Sequence, residues 1–273
     1  MHKYVYCLLI FSCACVSCSS YKKLVWNDEF DKPGLPDSSK WKMEEGFFHN
    51  EEQQYYTKNR TENARVENGN LIIEARKEKF DNKDFDASKK GFKYAYPHAD
   101  YTSASLTTKG IQHFKYGRIE LRAKLPKGKG VWPAFWMLGE NRDQIGYPFC
   151  GEIDIMEYTG KDPNRIHATI HYSRNDGSEK VVSSGTTFKK RKPFNDFHVY
   201  AMEWNKKKID FYFDKKKYYS FDIEEAGDKK NNPFYKPFYL ILNFALGGTW
   251  GGTIDDKILP QQFLIDYVRV YQK

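Results

Sequence analysis

The chain has 273 residues, 40% hydrophobic and 17% aromatic, which supports one well-packed domain and excludes a disordered protein. At this length no disulfide staples are needed, and the single long apolar run lies at the N-terminus, which excludes a polytopic membrane protein. The net charge of +8 is spread over short clusters such as Lys189-Lys190-Arg191-Lys192, Lys206 to Lys208 and Lys215 to Lys217. These read as solvated loops and hairpin tips, and no nucleic-acid motif runs through them.

Residues 1–17 read as an export signal. Lys3 supplies the positive start, and Tyr4 to Val16 is an apolar stretch too short to span a membrane comfortably. Cys7, Cys13, Cys15 and Cys18 cluster here, which argues against a disulfide framework in the folded part. Cys18 follows Val16-Ser17, like the approach to a lipoprotein cleavage site, although Cys15 stands where leucine is usual. Cleavage there would leave a lipidated Cys18 on a polar tether, residues 18–23, anchoring the protein to a membrane. The expected location is then the outer membrane, cell surface or periplasm; plain secretion near Ser17 is the alternative. The exported domain, residues 24–273, keeps only Cys150, so no disulfide is expected, and it reads as a monomer.

From Leu24 onward the dominant period is two. Leu71 to Ala75, Arg118 to Leu125, Val199 to Trp204 and Tyr267 to Tyr271 alternate as half-buried strands do. Ile209 to Phe213 and Tyr218 to Phe221, joined through Asp214 to Lys217, predict a hairpin. Asn68-Gly69, Pro126-Lys127-Gly128, Asp176-Gly177 and Gly247-Gly248 mark turns. With no amphipathic helix of three turns and no repeat, the pattern predicts an all-β antiparallel sandwich or barrel. Lys77 to Asp100 breaks the rhythm as a long polar connection, either mobile or part of a binding edge.

The most informative segment is Gly151-Glu152-Ile153-Asp154-Ile155-Met156-Glu157-Tyr158. On a strand Glu152 and Asp154 share a face, whereas strict alternation would bury Glu157 among the apolar residues at a cost of several kcal/mol. A one-residue bulge near Ile155-Met156 returns Glu157 to the acidic face. Three crowded carboxyls repel one another, which separates their protonation states and yields an acid and a nucleophile from one residue type, as glycoside hydrolysis needs. A metal site and a solvent-facing acidic strand are the other readings, the latter penalised by the like-charge alignment. Trp132 and Trp136 share a strand face and read as sugar-stacking platforms or as core. His167 and His171 share another face, but zinc would need a third ligand and no cysteine pair is available.

Glu-Ile-Asp-Ile-Met-Glu, preceded by Trp132-Pro133-Ala134-Phe135-Trp136-Met137-Leu138, resembles glycoside hydrolase family 16, in its bacterial laminarinase-like endo-β-glucanase branch. Ordered matches cover nearly the whole exported domain, from Trp26-Asn27-Asp28-Glu29-Phe30 through Ala245-Leu246-Gly247-Gly248-Thr249-Trp250 to Asp266-Tyr267-Val268-Arg269-Val270-Tyr271. The resemblance implies a β-jelly-roll sandwich of the concanavalin A-like kind, with a concave substrate cleft. It further implies a retaining, endo-acting hydrolase of β-1,3-containing glucans, laminarin or mixed-linkage glucan. Glu152 would be the nucleophile, Glu157 the general acid/base, and Asp154 the residue that holds and tunes them. Asn50, Glu51 (or its neighbour Glu52), Arg76, Trp132, Trp136, His171, Asn243 and Trp250 would contact substrate. No cofactor is implied for catalysis, but one structural calcium is, held by Glu29, the Gly69 carbonyl and Asp266. A relative acting on agar- or carrageenan-type galactans and a non-catalytic glycan-binding lipoprotein are the rival readings. A pure binder has no need of three aligned carboxyls.

Overall fold

The computed structural model describes residues 21–173 and 180–273. The export segment, Cys18 and the Asp176-Gly177 turn lie outside the described residues. Two sheets face each other across one core. The ten-stranded sheet is centred on Gly117–Lys124, flanked by His198–Trp204 and Gln261–Gln272. The seven-stranded sheet runs Val182–Lys189, Arg165–Tyr172, Glu152–Glu157, Val131–Gly139, Phe238–Leu246, Ser105–Thr107 and Lys42–Met43. One pairing departs from the antiparallel expectation: Gln54–Tyr56 lies parallel to His98–Ser103. Among the described residues every helix is a single turn, none long and apolar enough to cross a membrane.

Alternation explains the layers. In Gly117–Lys124 the residues Ile119, Leu121 and Ala123 are fully buried while Arg118, Glu120 and Arg122 face outward. Phe238–Leu246 is buried along its whole length because both its faces are covered. Leu240, Leu242 and Phe244 enter the main core; Tyr239 and Ile241 pack with Leu138 and Cys150 in a second cluster beside Trp136.

The predicted hairpin forms, with strands Lys208–Phe213 and Lys216–Asp222 and a tighter turn than expected at Asp214-Lys215. Two expectations change. The packed domain begins before Leu24, because Tyr21 is already buried, its hydroxyl bonded to the Trp204 carbonyl at 3.0 Å, and strand pairing begins at Lys23. The 77–100 connection is partly ordinary strand: Asn70–Asp81 continues through Lys77, and His98–Ser103 returns beside it. The turn between them is pinned by Phe92 packing edge-on against Phe47, 5.4 Å between centroids.

Candidate active site

The acidic strand carries the predicted bulge. Glu152 pairs with Leu138 and Asp154 with Trp136, but Met156 pairs with Phe135, so Ile155 is the inserted residue. Against the other neighbour, Asp154 pairs with Thr169 and Glu157 with His167, the same one-residue shift. Ile153, Ile155 and Met156 drop into the core, while Glu152, Asp154 and Glu157 all line one cleft of about 270 Å³.

Burial sets the electrostatics. It pushes the Glu152 carboxyl well above its ordinary range, and the neighbouring Asp154 charge adds to the rise. Asp154 is also raised strongly, by burial and then by Glu157. Glu157 is raised by burial, but Trp132 Nε1–H donates to its Oε1 at 3.1 Å and pulls it back. Three adjacent acids this buried hold at least one proton at neutral pH. The hydrogen bond from Glu152 partly offsets the rise at Asp154, so the two carboxyls share their proton as one unit. His171 Nε2 lies 3.1 Å from Asp154 Oδ2 and 3.8 Å from Glu152 Oε1, and its Nδ1 meets Ser183 Oγ at 2.7 Å. Glu152, Asp154 and His171 also form the one group among the described residues with donor atoms close enough to hold a metal.

The cleft floor is a chain of hydrogen bonds. Trp136 Nε1–H donates to Asn243 Oδ1 at 2.8 Å, and Asn243 Nδ2 donates to the Tyr56 hydroxyl at 2.8 Å. Tyr56 in turn donates to Glu52 at 3.2 Å, and Glu52 also accepts from Gln54 at 2.9 Å and Asn50 at 3.2 Å. This fixes rings and amides that would otherwise lose rotamer freedom on binding a sugar. The loop bearing Asn50 and Glu52 is docked by backbone: Gln53 N–H reaches the Leu246 carbonyl at 2.9 Å and Thr249 N–H the Asn50 carbonyl at 2.8 Å. Gly248 permits that approach, since a Cβ there would sit 2.7 Å from the Asn50 carbonyl and its φ is +70°.

Asn50, Trp132, Trp136 and Asn243 line the cleft as expected. Trp250 stands beside it, edge-on to Trp132 at 5.2 Å and to His167 at 4.8 Å. Glu51 does not enter: it is exposed, and Glu52 is the buried carboxylate lining the cleft. Left-handed backbone at Asn50 and Glu51, φ 58° and 53°, defeats an alternation count through this loop. Arg76 is also misplaced. Leu71, Ile73 and Ala75 face the core, so Arg76 points outward from the ten-stranded sheet, where it pairs with Glu74. His49, Arg142 and Tyr147 line the cleft without having been singled out.

The carboxylates of the calcium candidates are engaged by arginines. Register places Glu29 and Gly69 on turns flanking the Gln261–Gln272 strand that carries Asp266. Both Glu29 oxygens, however, accept from Arg269 at 2.9 and 2.7 Å, and Asp266 accepts from Arg122. Two guanidinium groups thus meet the carboxylate charge, and calcium would have to compete with them for Glu29 and Asp266. The bidentate Arg269–Glu29 pair ties the chain ends together instead.

The family model for "Glycosyl hydrolases family 16" matches residues 51–269. A beta-glucanase of Rhodothermus marinus is 42% identical over 269 residues, covering 92% of this chain and 85% of that one. The solved catalytic domain of an endo-1,3-beta-glucanase (laminarinase) from Thermotoga petrophila superposes with a TM-score of 0.78 at 41% identity, covering 92% and 98%. A structure from a study of endo-acting O-glycanases, which prominent members of the human gut microbiota express to initiate mucin breakdown, superposes at 0.86 with 42% identity, covering 91% and 90%.

Proposed function

The chain belongs to glycosyl hydrolases family 16, and from that premise we propose that it is a retaining, endo-acting β-glucanase that cleaves β-1,3-containing glucans. The observation that carries this reading is the bulged strand that turns Glu152, Asp154 and Glu157 into one tryptophan-walled cleft. Glu157, buried and protonated when substrate enters, gives its proton to the leaving glycosidic oxygen as that bond breaks. Glu152 bonds to the anomeric carbon, forming a glycosyl ester. Glu157, now ionised, takes a proton from water as the water attacks that carbon, which releases Glu152 and restores Glu157. His171 favours the ionised form of Glu152, and Asp154 orients it. Trp132 orients Glu157 through its indole N–H, and Trp136 offers a ring face to the sugar.

A second reading, cleavage of a β-linked galactan or mucin-type chain, is supported by the higher superposition on the O-glycanase-study structure and by the net charge of +8. Incubation with laminarin, mixed-linkage glucan, agarose, carrageenan and a mucin O-glycan separates the two. Oligosaccharides from either glucan support the first; products only from the galactans or mucin leave the mechanism and replace the substrate. The protein is further proposed to act as an exported monomer anchored through a lipidated Cys18, a reading that rests on the apolar run and the cysteine that ends it. Mass spectrometry of the membrane fraction tests it: Cys18→Ser should lose both the acyl mass and the membrane association.

A further inference from the structure

We propose that Arg142 forms an oxyanion-recognising subsite at the Glu152 end of the cleft, so that the enzyme accepts glycan chains bearing a sulfate ester or carboxylate there. The inference rests on the glycan-cleaving reading of the cleft and names a substrate feature that reading leaves open.

Arg142 begins the one-turn helix Arg142–Ile145, which follows the tryptophan-bearing strand, and it lines the same cleft as Glu152 and Tyr147. Of the nine described arginines, seven form salt bridges with acids: Arg60, Arg65, Arg76, Arg118, Arg122, Arg165 and Arg269. Arg142 makes no side-chain hydrogen bond or salt bridge among the described residues. The acids nearest it in sequence are already engaged, Asp143 by Lys109 at 2.6 Å and Glu140 by His113 at 3.2 Å. The charges of Glu44 and Glu152 act on Arg142 only at longer range, so the N–H fork of this half-buried guanidinium has no direct acceptor unless a ligand supplies one.

The chemistry of that ligand follows from what surrounds it. Glu52, Glu152, Asp154 and Glu157 line the cleft, and those that are ionised repel an anionic chain. Arg142 is the only permanent cation among the lining residues, since burial and Arg142 itself keep His49 neutral. A planar fork of N–H donors matches two oxygens of a sulfate or carboxylate, where a lysine would offer only a point charge. Exposed Tyr147 lines the same cleft and offers a ring face for the sugar that carries the group.

The test compares laminarin with laminarin bearing sparse O-sulfate groups and with carboxymethylated laminarin, and desulfated keratan with keratan sulfate. Wild type, Arg142→Ala and Arg142→Lys are each assayed for kcat/KM. On whichever backbone wild type cuts, the preference ratio of anionic to neutral form should fall at least tenfold in Arg142→Ala. Arg142→Lys should fall between, and 0.5 M NaCl should erode the wild-type preference. Which anionic form shows the effect identifies sulfate or carboxylate as the group read. An unchanged ratio, or equal losses on both forms, overturns the proposal and makes Arg142 a partner of neutral hydroxyls or a bystander. If wild type neither cuts nor binds any backbone, the glycan reading fails and the subsite fails with it. Unchanged Tm in the two variants confirms that the ratio reports binding.

Discussion

Replacing Asp154 with asparagine should stabilise the protein at neutral pH while disabling it. The Asp154 side chain is 4% exposed, and its Oδ2 faces the His171 ring at 3.1 Å but makes no hydrogen bond. Burial, then the charge of Glu157, raises its pKa well above the ordinary value. A carboxyl raised by folding holds its proton more tightly folded than unfolded. That stabilises the native state in acid, and the benefit drains away as pH climbs from the unfolded pKa, about 3.9, through the folded one. Asparagine carries no charge at any pH and keeps a hydrogen-bonding amide beside Glu152. Relief of an incompletely satisfied buried acid is worth about 1–3 kcal/mol, and each kcal/mol moves Tm by roughly 2–4 °C in a domain of this size. Thermal unfolding at pH 4 and pH 8 checks this: wild type and Asp154→Asn should coincide in acid, with the variant melting several degrees higher at pH 8. Its kcat should meanwhile fall about a hundredfold or more, the scale of losing one preorganised group at the reacting centre. A variant less stable than wild type at pH 8, or a gap that does not change with pH, would refute the electrostatic picture of the cleft.

Glu52→Gln should lower kcat/KM about tenfold or more, because it weakens a charge-assisted network at the cleft wall, whereas Glu51→Gln should leave it within about twofold; steady-state kinetics on laminarin decides between the two glutamates. Arg76→Ala should likewise keep kcat/KM within about twofold, as expected for a surface substitution away from the cleft, and a tenfold loss would return Arg76 to the substrate. Chelation followed by added calcium should leave Tm unmoved by more than about a degree, since Arg269 and Arg122 already neutralise Glu29 and Asp266; a clear calcium-dependent rise would restore the cation site.

What was legible in the sequence was whatever a period of two determines. Alternation gave the strands, and the misfit of Glu157 against it gave the bulge, because only an inserted residue reconciles three carboxyls with an apolar underside. The same parity, followed along Leu71, Ile73 and Ala75, places Arg76 on the outer face. Glu52, His49, Arg142 and Tyr147 were not legible in this way. They sit in or beside loops whose course is set by docking against distant strand ends, as when Thr249 N–H meets the Asn50 carbonyl. For the calcium set, alternation could not reveal the competitor: Arg269, three residues after Asp266, pairs with the carboxylate of Glu29.

The most direct test of the central claim is time-resolved NMR of the anomeric protons released from laminarin by wild type and by Glu152→Ser. Double displacement through Glu152 predicts β-anomers first, with the α form growing in by mutarotation. It also predicts a loss in the folded variant of about 10⁴-fold or more. Initial release of the α-anomer, or substantial turnover by Glu152→Ser, would contradict it.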